Sequence, residues 1–64
     1  MDGRQRTDVQ PGQRVSVVLK RDQRSGATTE GVVERILTNS AFHPHGIKVR
    51  LVSGEVGRIK QIHP

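Results

Sequence analysis

The stretch IKVRLVSGEVGRIK, Ile47 to Lys60, decides the fold. In its first half apolar and cationic residues alternate strictly, with Ile47, Val49 and Leu51 on one side and Lys48 and Arg50 on the other. A period of two marks a strand with one buried face, because successive side chains of extended backbone point to opposite sides. Ser53-Gly54 supplies a tight turn, and Glu55 to Lys60 returns as the partner strand of a β-hairpin. Arg58 is ambiguous within that return. A regular strand puts it on the face of Val56, and a bulge at Gly57 would bring Ile59 inward and change the geometry.

Working outward from the hairpin, Arg14 to Lys20 repeats the alternation, with Val15, Val17 and Leu19 on one side and Ser16, Val18 and Lys20 on the other. Pro11-Gly12 punctuates its start, and the polar run KRDQRSG, residues 20 to 26, ends in Gly as a loop between strands does. Thr28 to Leu37 is rich in β-branched residues and forms another strand, with a bend or bulge expected at Gly31. Val33 and Ile36 fall on opposite faces of a regular strand, so both turn inward only if a bulge sits near Glu34. The rival is a helix through Val32 to Leu37, which is short and has Gly31 at its start. Thr38 to Gly46 is a loop, stiffened by Pro44 and ended by the positive φ open to Gly46. Phe42 is expected to tuck over an open end of the barrel, and Ile62 to cap the core. Residues 1–10 are polar and lack a period, which predicts a disordered N-terminal tail before an ordered domain over 11–64.

Four to five short strands and nearly no helix predict an all-β fold, a small SH3-like antiparallel barrel, because closure removes exposed strand edges. An OB-fold needs a helix between its third and fourth strands, for which there is no room. A chain of 64 residues is one domain with a thin core. It has no cysteine, hence no disulfide, thiolate nucleophile or cysteine zinc site. The N-terminus has no apolar signal-peptide core, and no segment approaches the roughly 20 apolar residues of a membrane-spanning helix. The expectation is a cytoplasmic monomer without a membrane partner.

Eleven Lys and Arg against six Asp and Glu give a net charge of +5, which suits a polyanionic partner and suits simple solubility as well. Two cationic clusters stand out. Lys48 and Arg50 share the outer face of one strand, with Arg58 and Lys60 on its hairpin neighbour; Lys20, Arg21 and Arg24 lie beside Gly26, where the amides of residues 25–28 are possible phosphate donors. The single aromatic, Phe42, provides no stacking platform, so phosphate contacts must dominate any grip on nucleic acid. These residues predict a module that binds RNA or another polyanion. The alternative is a protein-interaction adaptor, using outward Val18, Val32 and Val52 with the loop of Phe42, His43 and His45. For catalysis, His43, His45, Asp22 and the hydroxyls of Ser25, Thr28, Thr29, Thr38 and Ser40 are present, yet no nucleophile elbow, phosphate cradle or acidic pair orders them. Zinc wants three or four ligands, and beyond His43 and His45 the only other imidazole is distant His63. No catalytic residue, cofactor or metal site is expected.

Pro11-Gly12-Gln13-Arg14-Val15-Ser16-Val17, followed by Gly31-Val32-Val33 and Ile36, resembles the opening of KOW-type SH3-like modules of ribosomal proteins and transcription elongation factors. That resemblance implies RNA or protein binding. From Pro11 to Ile62 the chain more closely resembles the YwbE-like family of small bacterial and archaeal proteins. The match is carried by Val18-Leu19-Lys20, Asp22-Gln23, Ser25-Gly26, Thr29, Gly31, Ile36-Leu37-Thr38, His43-Pro44, Gly46 to Leu51, and Gly54 with Gly57-Arg58. This second resemblance brings no activity with it.

Overall fold

Strands form where the alternation predicts them. In the computed structural model, which describes residues 3–63, they are β1 (Arg14–Leu19), β2 (Thr29–Ile36), β3 (Lys48–Leu51) and β4 (Val56–Ile62). Each pairs antiparallel with the next, and β4 returns to β1 to close the barrel. The fold is thus all-β and a small SH3-like barrel of four strands. Met1, Asp2 and Pro64, the outer ends of the expected tail and domain, lie outside the described residues.

The core is aliphatic. Val15, Val17 and Leu19 enter it from β1, Val33 from β2, Val49 and Leu51 from β3, and Ile59 and Ile62 from β4, with Ile47 just ahead of β3. Burying each such side chain contributes roughly 1.5–3 kcal/mol, against the conformational entropy of ordering the chain. The bulge expected in β2 is present: Val33 faces Leu51 while Arg35 faces Arg50, which leaves Glu34 as the extra residue. Val33 is therefore buried and Ile36 packs against the core, and the rival helix does not form.

β4 resolves the ambiguity of Arg58 in favour of the regular strand. Gly57 and Ile59 both point inward without a bulge between them, so Val56, which is exposed, and Arg58, which is half-buried, lie on the outside. The inward place goes to glycine because β1 runs too close for a side chain: a Cβ on Gly57 would lie 2.7 Å from the Val18 carbonyl oxygen. The bulge comes three residues later. Ser16 faces Gln61 and Val17 faces Ile59, so Lys60 is the extra residue and Ile62 turns into the core after Ile59.

Three further expectations change. Residues 3–10, expected as an N-terminal tail, pack and hydrogen-bond against the barrel. Gly3 accepts a hydrogen bond from the Ile47 N–H (2.8 Å), Arg4 accepts one from the His43 N–H (2.9 Å), and Arg6 N–H donates to Ala41 (2.8 Å). Gln5 bridges Phe42, and Val9 is a core residue. Main-chain groups make these contacts, and one valine makes the apolar one, so a polar and aperiodic sequence conceals them. Phe42 does not tuck over the barrel: it is 52% exposed, and the extra core side chain at the N-terminal segment is Val9. Val18 lies on the outer face of β1 but is only 8% exposed, whereas Val32 and Val52 are exposed as expected and lie beside each other, with Val52 N–H donating to Val32 O (2.8 Å).

Candidate nucleic-acid interface

Strand register sorts the cations. Lys48 lies directly opposite Arg58 across the β3–β4 pair, and Lys60 follows on β4. Cross-strand neighbours of this kind stand about 5 Å apart at Cβ. No carboxylate of the described residues forms an ion pair with any of the three.

Arg50, expected to be the fourth member of this cluster, lies opposite Val56 and is matched by Glu34, with Nε 3.4 Å from Oε1. The β2 bulge makes that possible by setting Glu34 on the outside next to β3. Arg21 is matched in the same way, its guanidinium 3.7 Å from both Asp22 and Glu55. Exposed pairs like these contribute little to stability. Their importance is in cancelling charge: of the seven cations expected at the interface, Lys20, Arg24, Lys48, Arg58 and Lys60 remain without an acidic partner among the described residues. The loop amides expected to help them are partly spent inside the loop, where Gly26 N–H donates to Asp22 O (2.9 Å) and Ala27 N–H to Ser25 Oγ (3.3 Å).

Arg58 and Lys60 are held in place by the loop that precedes β3. Arg58 Nη1 donates to Gly46 O and Lys60 Nζ to His45 O, both at 3.2 Å. Each keeps further donors, since a guanidinium has five and an ammonium three. With His45, Val18, Gln23 and Gly26 they line a half-open cleft of about 390 Å³, and no carboxylate of the described residues lines it. The sequence pattern marks Val18 as outward and gives Gln23 no place at a site. Only the folding of the 20–28 loop over the outer face of β1 joins them, and no local signal announces it.

The two loop histidines clasp each other. Their rings are 5.7 Å apart, and His45 N–H donates to His43 Nδ1 (3.1 Å), which places the proton of a neutral His43 on Nε2. His43 is held below the ordinary imidazole value of 6.5, first by partial burial and then by the nearby Arg58 and His45 charges. A lowered folded-state value favours the neutral ring, so the contribution of the clasp is present above pH 6.5 and is lost as pH falls through the folded midpoint. A histidine NMR titration is expected to give His43 a midpoint below 6.5; one at or above that value contradicts this account. His63 does not join the pair. Its ring Nε2 lies 2.8 Å from Ser16 Oγ, and among the described residues no three metal-ligating side chains gather.

A family model described as "Uncharacterized conserved protein (DUF2196)" matches residues 2–62. The chain belongs to this DUF2196 family. The "Uncharacterized protein YwbE" of Bacillus subtilis (strain 168) is 53% identical to the chain over 62 residues, covering 97% of this chain and 95% of the relative. The YwbE-like resemblance therefore extends through the N-terminal segment that pairs with the loop before β3. No solved structure matches this DUF2196 chain.

Proposed function

We propose that this barrel is a monomeric cytoplasmic module that binds RNA, a binding protein rather than an enzyme, gripping phosphates with Lys48, Arg58 and Lys60. Lys20 and Arg24 add charge from the neighbouring loop. The observation that carries this reading is the cross-strand pair Lys48 and Arg58, continued by Lys60, without an acidic partner among the described residues. Like charges placed side by side repel each other. A surface that keeps them together lowers its energy by accepting a polyanion, and the net charge of +5 raises the local potential further.

The test is a salt titration of binding to labelled RNA. Three phosphate contacts require log affinity to fall with log salt at a slope of about −2 to −3. A flat response ends the proposal. A second reading, as an adaptor for another protein, is favoured by the exposure of Phe42 and of Val52 beside Val32. In that case affinity survives salt, and Phe42→Ala weakens binding more than Lys48→Ala combined with Arg50→Ala.

A further inference from the structure

We infer that the cleft over the outer face of β1 and β4 is the seat of one unpaired nucleotide, with its phosphate on Arg58 and Lys60 and its base over Val18 between Gln23 and His45. This inference rests on the RNA-binding reading and adds to it that the preferred substrate is single-stranded RNA.

Several features point to the same ligand. The volume, about 390 Å³, is at the small end of the roughly 300–1,000 Å³ of ligand sites, which suits one nucleoside with its phosphate. Both cations are tethered to carbonyls of the loop before β3, so little side-chain freedom is lost when a phosphate binds. Val18 gives an apolar floor for the flat face of a base. The Gln23 side-chain amide makes no hydrogen bond within the described residues, and offers two donors and one acceptor to a base edge. The His45 ring is exposed while its backbone is bonded on both sides, by its N–H to His43 and its carbonyl to Lys60, which presents the imidazole for stacking. Gly26 closes the rim without a side chain, and a Cβ there would meet nothing within 4 Å, so the entrance stays wide. A base stacked and paired inside a duplex cannot enter such a cleft, whereas a splayed one can.

The experiment compares an unstructured single-stranded oligoribonucleotide with a blunt RNA duplex carrying the same number of phosphates. Binding of each is measured to the full chain and to a Gln23→Ala, His45→Ala variant. Both substitutions remove exposed side chains and leave every backbone hydrogen bond, and thermal melting checks that the variant is folded. The full chain is expected to prefer the single strand about tenfold, and the variant to lose about tenfold on the single strand alone, from the worth of base stacking. The salt slope should stay the same, because the phosphate contacts remain. Equal affinity for both substrates, or equal loss on both in the variant, overturns the nucleotide seat while a steep salt slope leaves the RNA-binding reading standing. A flat slope on both substrates overturns the two together.

Discussion

Gly46→Ala is expected to leave the chain unfolded. Gly46 has φ +103°, in the left-handed region that L side chains rarely adopt, and a Cβ there would run into the Ile59 carbonyl oxygen. The obstacle is main chain, so no rotamer change relieves it. Ile59 N–H donates to Ile47 O at 2.9 Å, and Ile59 is a wholly buried core residue, so moving that strand breaks the ladder and opens the core at once. A strained φ alone costs on the order of 1–3 kcal/mol. Total stability for a domain of this size is roughly 3–10 kcal/mol, from about 0.05–0.15 kcal/mol per residue. Gly54→Ala is the matched control. Gly54 has φ +96°, but a Cβ there meets nothing within 4 Å, so only the backbone term is lost. At roughly 4–8 °C per kcal/mol, Gly54→Ala should still melt cooperatively at a lowered temperature, whereas Gly46→Ala should show no transition by circular dichroism. If the two variants melt alike, the close approach of β4 to the loop before β3 does not exist.

Replacing Lys48, Arg58 and Lys60 together with Gln is expected to lower RNA affinity about a hundredfold or more at low salt, since hydrogen bonds to charged groups contribute roughly 1.5–3 kcal/mol each. The salt slope should shrink with it, because the released counterions belonged to these contacts. Arg58 also holds Gly46 O, so the Lys48→Gln, Lys60→Gln pair serves as the variant that leaves that tether intact. Arg21→Gln with Arg50→Gln removes the same number of charges as that pair, yet these arginines face Glu55, Asp22 and Glu34. Affinity should then change by no more than about threefold, as expected for cations whose field is already cancelled. Equal losses in the two double variants would show that net charge, and not the β3–β4 face, governs binding.

The register explains why the cationic set was only partly legible. Lys48 and Arg50 look equivalent along the chain, two positions apart on the outer side of one strand. What separates them is across the sheet: Lys48 meets Arg58, while Arg50 meets Glu34 from a segment that precedes it by a whole loop. The same holds for Arg21, matched by Glu55 from beyond β3. Charge compensation is a property of spatial neighbours, so a count of cations along the chain overstates how many are left uncompensated.

Sequence alone determined what depends on local periodicity. Alternation assigned Val15, Val17, Leu19, Ile47, Val49 and Leu51 to the inside, and the broken phase of Val33 and Ile36 required a bulge at Glu34, because extended backbone sends neighbouring side chains to opposite faces. Tertiary structure decided the rest: the pairing of residues 3–6 with the loop before β3, the glycine at the inward place of β4, the covering of Val18, and the cleft that joins Gln23 to Arg58. Those features rest on main-chain hydrogen bonds and on approaches between segments remote in sequence. Neither leaves a mark on the hydrophobic pattern of the segment concerned.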